Sequence, residues 1–210
     1  FQSSVSTSIM QFYDALGITR DVASRPDLDV YGLRPFLSCK YLFDYRGDGK
    51  SGSTNSFIDE DGNTKMPGWK YLRTQNRFDI YRNERYIPMG YTFDKFIAEE
   101  EFDFVPSAHK SEALLYAMIL PRDLMKKYSS ITGYSDKKYK LLYGKHPEYY
   151  DSITETFSYD NSDYKKVCAQ RAYNSCSSFE YTDNGFRAEY DNTKGDDNLL
   201  FFSVPYSDGF

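Results

Sequence analysis

Asp59, Asp61 and Asn63 stand at the spacing that opens a calcium-binding loop, with Gly62 among them. Such a loop needs glycine just after the Asn and a glutamate at its twelfth position. Here glycine precedes Asn63 and the twelfth position holds Lys70, so a hairpin tip explains the stretch better. Gly49-Lys50-Ser51 resembles the end of a phosphate-binding loop, but the glycine required five residues earlier is Asp44. Arg46-Gly47-Asp48 matches an integrin tripeptide by letters, and turn chemistry accounts for it.

Nucleophiles and bases fare no better. His109 and His146 lie in no metal-ligand spacing and face no Ser or Cys in a recognisable nucleophile setting. Ser203 and Ser207 lack a G-x-S-x-G context. Glu99, Glu100 and Glu101 suit a solvated helix entry, where carboxylates favour the positive end of the helix dipole. Asp94 stands apart because it sits beside Lys95 inside the apolar phrase GYTFDKF. Strand alternation turns one of the two inward, and a buried charge needs a partner, which predicts a structural salt bridge. No catalytic residue and no metal site is assigned.

Elements must position whatever chemistry remains. Ile9, Met10, Phe12, Tyr13 and Leu16 recur at helical spacing, with Gly17 placed as a C-terminal cap. Tyr31 to Leu37 is a short helical or turn segment limited by Pro35, and CKYLFDY, Cys39 to Tyr45, alternates as a strand. Arg46 to Gly68 is a polar, Gly-rich surface loop. Trp69 to Thr74 and Phe78 to Arg82 form two strands joined by Gln75-Asn76-Arg77, and Met89 to Ile97 forms a third. Pro106 to Leu120 is a helix with Ser107 as N-cap and Leu114, Leu115, Met118 and Ile119 on its apolar face. Asp160 or Asn161 caps another helix through Tyr173. Ser177 to Thr182, Phe186 to Asp191 and Leu199 to Pro205 complete the strands, the first two joined by the hairpin signal Asp183-Asn184-Gly185. Residues 129–158 carry few periodic cues. The fold class is α+β, with helices inserted between antiparallel strand groups.

Composition narrows the classes of function. The chain has 210 residues, enough for a real core, and its formal net charge of -5 argues against nucleic-acid partners. No run of apolar residues is long enough to span a bilayer. Tyr is the unusual residue, at 21, and together with Phe it suits either β-strands or half-wet surfaces such as glycan sites. The three cysteines form no disulfide framework; Cys168 and Cys176 can pair if a helix end turns back between them, which leaves Cys39 in an apolar strand. The chain opens in FQSSVSTSIM and closes in FFSVPYSDGF, an interrupted hairpin, so it reads as a fragment cut at both ends.

Three stretches resemble the extracytoplasmic part of the bacterial YfhO membrane-protein family. The first is SSVSTSIMQFYDAL, Ser3 to Leu16, followed by Tyr31-Gly32-Leu33-Arg34 and Cys39 to Leu42. The second and most specific is Phe78 to Leu120, which contains IYRNERYIPMGYTFDKFI and EALLYA. The third is Phe201 to Phe210, where Phe210 stands in place of the family's Trp. Residues 46–68 and 129–160 show no likeness.

The resemblance implies a multi-spanning glycosyltransferase of the GT-C type, using a polyprenyl-phosphate sugar to modify a cell-envelope polymer such as teichoic acid. On that footing 1–210 is one soluble extracytoplasmic domain, with possible sub-parts 1–158 (α+β) and 159–210 (mainly β). It has no cofactor of its own, the rest of the same chain lies in the membrane, and the catalytic carboxylate lies in the remainder. Its task is acceptor recognition or structural support. Candidate acceptor contacts are Trp69 and Tyr31 for sugar faces, Arg34 and Lys95 for phosphates, and Asp94. The rivals are a surface structural or adhesion module and a self-contained glycoside hydrolase, which needs two carboxylates facing each other at roughly 5–10 Å.

Overall fold

The computed structural model describes residues 7–19, 26–46, 57–94, 96–103, 105, 107–121, 123–124, 161–194 and 199–204. The class is α+β, as the sequence predicts.

Helix α1 (Thr7–Ala15) lays Phe12 and Tyr13 onto the main core and is followed by buried Leu16. It ends in a Schellman motif: Gly17 N–H donates to the Asp14 carbonyl at 2.8 Å and Ile18 N–H to Tyr13 at 2.9 Å. Gly17 has a φ of 70°, and a Cβ there would stand 2.5 Å from the Ser107 hydroxyl, so both conformation and space demand glycine. Lys110 then donates from Nζ to the Ala15 carbonyl at 2.6 Å, a cation at the negative end of the helix.

Helix α2 (Leu33–Phe36) is one turn long and holds Pro35 where the missing N–H costs nothing. It presses on the later helix α4 (Ser107–Tyr116) at Gly32, where a Cβ would lie 2.9 Å from the Ser111 carbonyl. Strands β1 (Tyr41–Tyr45), β2 (Trp69–Gln75) and β3 (Phe78–Asn83) form an antiparallel sheet in the order β1-β3-β2. The β2–β3 turn is tighter than the three-residue link expected. Asn76 and Arg77 have φ of 50° and 66°, the two-residue geometry whose twist suits a hairpin.

Met89 to Ile97 is not one strand. It divides into β4 (Tyr91–Phe93) and β5 (Phe96–Ala98), which join different sheets. Strand β4 pairs antiparallel with β9 (Leu199–Phe201), whereas β5 pairs parallel with β6 (Met118–Leu120). The expected alternation also fails, because every residue of β4 and β5 is buried. The crossover from β5 to β6 runs through α3 (Glu99–Phe102) and α4 (Ser107–Tyr116), so one strand pair departs from the antiparallel grouping. Met118 and Ile119 accordingly lie on a strand, not on the apolar face of the helix: β5 supplies ladder hydrogen bonds that the last helical turn would forgo. Beyond α5 (Asn161–Tyr173), strands β7 (Ser178–Thr182) and β8 (Gly185–Glu189) close the predicted hairpin. Strand β9 ends at Phe201, short of the Pro205 expected, and the expected tail hairpin of 205–210 lies outside the described residues.

The main core gathers Leu33, Phe36, Tyr91, Phe93 and Leu115 with Tyr164 and Val167 of α5, while Phe201 of β9 packs against it. Residues on both sides of position 158 therefore share one core. Arg171 holds these parts together from inside, at 2% exposure. Its Nε donates to the Leu115 carbonyl at 2.9 Å and Nη2 to Tyr116 at 2.8 Å, covering the carbonyls that the end of α4 leaves open. Nη1 donates to the Thr92 carbonyl at 2.9 Å, and the guanidinium lies 4.4 Å from the Phe93 ring centroid. A second, smaller core packs Phe57, Met66, Trp69 and Tyr81 under the β1-β3-β2 sheet. Among the described residues no helix is long and apolar enough to cross a membrane.

Candidate functional site

The β1-β3-β2 sheet has two unlike faces, and the strand register determines which residues share each. Three rows run across the outer face: Tyr41–Arg82–Lys70, Phe43–Ile80–Arg73 and Tyr45–Phe78–Gln75. The inner face carries Asp44 opposite Asp79 and Thr74, with Leu42, Tyr81 and Tyr71 in the next row. An ordinary half-buried sheet would turn its aromatic row inward. Here Phe57, Met66 and Trp69 already fill the space beneath, and Asp44 faces that way, accepting the Phe57 N–H at 2.8 Å. The aromatic row is thus left in solvent, with Phe43 58%, Tyr45 49% and Tyr41 47% exposed.

A β-bulge sharpens this surface. The register slips between Tyr71 and Arg73, so Leu72 is an extra residue in β2, and both Leu72 and Arg73 line the groove. The groove has a volume of about 790 Å³, and Tyr41, Phe43, Phe78 and Ile80 line it as well. Rings of this face already contact one another edge-on or tilted: Phe43 and Phe78 of the groove at 6.4 Å, and Phe78 and the neighbouring Tyr45 at 5.2 Å. Lys70, Arg73 and Arg82 give the three rows positive charge, and no carboxylate lies in them. Glu84 reaches Arg82 at 3.8 Å from just beyond the strand. The carboxylates of the sheet are spent on the other side, where Arg46 donates to Asp79 at 2.8 Å and holds that carboxyl below its ordinary range.

The residues singled out from the sequence do not converge on this groove. Trp69 is 7% exposed, its ring 5.9 Å from Phe57 and edge-on to it, so the indole is core and presents no face to solvent. Tyr31 is half-buried at the seam of the two cores, edge-on to Tyr164 at 5.0 Å. Burial, then the charges of Glu112 and Cys168, push its hydroxyl up to about 12. Arg34 turns back on its own segment, donating to Pro26 at 2.6 Å and Val30 at 3.3 Å, and burial lowers its pKa. Asp94 accepts from Arg171 at 3.5 Å, the structural ion pair predicted for it. Lys95 lies outside the described residues. The groove residues were missed although CKYLFDY does carry their signal: aromatics at three alternate positions, with Asp44 in the other row.

Beside Tyr31 lies a second concentration of polar groups. Glu112 of α4 is 2% exposed, and its Oε2 has no hydrogen-bond partner among the described residues. Burial raises its carboxyl to about 7, with Asp29 adding to the rise, while its own backbone and the Ser111 hydroxyl oppose it. Burial likewise pushes the Cys168 thiol up to about 12, despite Arg85 and Tyr164 nearby. No disulfide joins Cys168 and Cys176. Among the described residues no group of His, Cys, Asp or Glu could hold a metal ion.

Comparison of the chain with protein-family models, with curated proteins and with solved structures returned no match. Function must therefore be argued from the surface that the fold builds.

Proposed function

We propose that this chain is a glycan-recognition module: the extracytoplasmic part of a membrane glycosyltransferase of the YfhO type, presenting a teichoic-acid-like acceptor polymer to a catalytic site elsewhere in the parent protein. One observation carries glycan recognition, namely the solvent-open aromatic rows of the β1-β3-β2 sheet with Lys70, Arg73 and Arg82 among them. Sugar C–H faces stack on flat rings, and Tyr hydroxyls at Tyr41 and Tyr45 offer hydrogen bonds to sugar hydroxyls. Arginine and lysine pair with phosphodiesters, which a teichoic-acid backbone supplies. The parent enzyme and the location outside the membrane rest on the sequence resemblance alone. In that setting an acceptor hydroxyl attacks the sugar C1, polyprenyl phosphate leaves, and an acidic residue of the parent protein takes the proton.

Nuclear magnetic resonance titration with teichoic-acid oligomers tests this. The expected result is saturable shifts confined to β1, β2 and β3, weakened about tenfold by Phe43→Ala or Tyr45→Ala, as the loss of one stacking ring implies. Both positions are exposed, so the variants keep their melting temperature. Absence of binding, or shifts elsewhere that these variants leave unchanged, would return the chain to the structural or adhesion class.

A further inference from the structure

On the main core, away from the sheet, α1 covers an apolar cleft of about 360 Å³. Phe12, Phe36, Phe93, Phe102 and Phe201 line it. Three of the rings form a continuous wall: Phe12 stacks on Phe36 at 6.1 Å, and Phe36 on Phe201 at 4.8 Å. The same three also line an adjoining cleft of about 220 Å³, so the apolar surface runs on under α1. Among the described residues the cleft has two charged lining groups, the exposed carboxylates of Glu99 and Asp103. These stand one helical turn apart, the Asp103 N–H donating to the Glu99 carbonyl at 3.2 Å. They lie at the start of α3 and just past its end, on one stretch of chain, unlike a hydrolase pair facing each other across a cleft.

We infer that this cleft binds an organic ammonium ion with an apolar body. The phenyl rings take the apolar body, while Glu99 and Asp103 supply the opposite charge at the mouth. The two other lining rings each already carry a cation of the protein itself: the Lys110 ammonium lies 5.1 Å from the Phe102 centroid, and the Arg171 guanidinium 4.4 Å from that of Phe93. Both are committed elsewhere, Lys110 to the Ala15 carbonyl and Arg171 to three further carbonyls and Asp94. Neither of them neutralises the carboxylates at the mouth by any contact described. By the same charge logic the cleft disfavours an amphiphile with an anionic head. A polyprenyl phosphate is therefore the wrong ligand for it, although its walls are apolar enough.

Titration calorimetry with decyltrimethylammonium and decyl sulfate, each below its micelle concentration, separates chain from head group. The expected result is one saturable site for the ammonium and at least tenfold weaker binding of the sulfate. In the double variant Glu99→Gln, Asp103→Asn that preference should collapse, with the melting temperature unchanged because both side chains are exposed. Ala117→Phe, placed in the wall, should block the cleft and abolish binding of either probe. Equal or tighter binding of the sulfate overturns the inference, as does failure of the ammonium to saturate. A preference that survives the double variant overturns it as well.

Discussion

Replacing Glu112 by Gln should stabilise the protein at neutral and alkaline pH, although it removes a charge from a folded domain. The carboxyl is buried, one of its oxygens has no partner, and no cation bonds to it among the described residues. Its folded pKa of about 7 exceeds the ordinary 4.5, a gap of about 2.5 units. At 1.36 kcal/mol per unit, the ionised folded form is disfavoured by about 3 kcal/mol. The sign follows from proton binding. Between about pH 4.5 and 7 the folded protein holds a proton that the unfolded chain has released, so stability falls as pH rises. Below 4.5 both states are protonated and the penalty vanishes. Above 7 it is fully felt. For a chain of this length, 3 kcal/mol corresponds to about 6–12 °C in melting temperature.

The assay is thermal unfolding of wild type and Glu112→Gln at half-unit steps from pH 4.5 to 8.5. The two should coincide at the acid end and diverge steadily, the variant melting higher by about 6–12 °C at pH 8. Other carboxylates pull the opposite way in acid: Asp79, held low first by its bond from Arg46, loses its contribution as pH falls. That loss is common to both proteins and drops out of the difference curve. A pH-independent difference, or a variant less stable at pH 8, would refute the idea that Glu112 is buried at a cost.

Arg171→Met should cost about 3–5 kcal/mol by denaturant unfolding, because it strands the Thr92, Leu115 and Tyr116 carbonyls and the Asp94 carboxylate. Arg171→Lys should recover little of that, since one ammonium cannot span the same forked set of acceptors. Arg77→Gly should raise stability by about 1 kcal/mol, as the left-handed φ at the second turn position favours glycine over a residue with a Cβ. Cys168 and Cys176 should both titrate as free thiols under non-reducing denaturing conditions, and Cys168 should resist a thiol reagent at pH 8 until the protein unfolds. A mass two units lower, from a disulfide, would contradict the structure at that point.

Several features depend on chain-local chemistry, and these were legible in the sequence. Gly17 announces the end of α1 because few other residues tolerate its φ, and Pro35 confines α2 to one turn. Asp183-Asn184-Gly185 marks the β7–β8 hairpin for the same kind of reason. The α+β class also followed from hydrophobic periodicity; Asp94 does have an ion-pair partner, but the buried charge of that pair is Arg171, while Asp94 keeps 29% of its side chain exposed. What remained hidden depends on neighbours distant in the chain. Met89 to Ile97 has the pattern of one strand, yet its halves pair with β9 and with β6, and periodicity carries no record of which partner an edge will meet. Met118 and Ile119 fit a helix face equally well, until β5 offers hydrogen bonds that make a strand of them. Trp69 reads as a surface platform and is core, whereas Tyr41, Phe43 and Tyr45, which alternation alone assigns to no particular face, are surface. One competition decided both outcomes. Space beneath the sheet is finite, and Phe57 and Met66 fill it from the preceding segment together with Trp69 at the start of β2. Residue types supplied the aromatic rings, and tertiary packing alone chose which of them would face water.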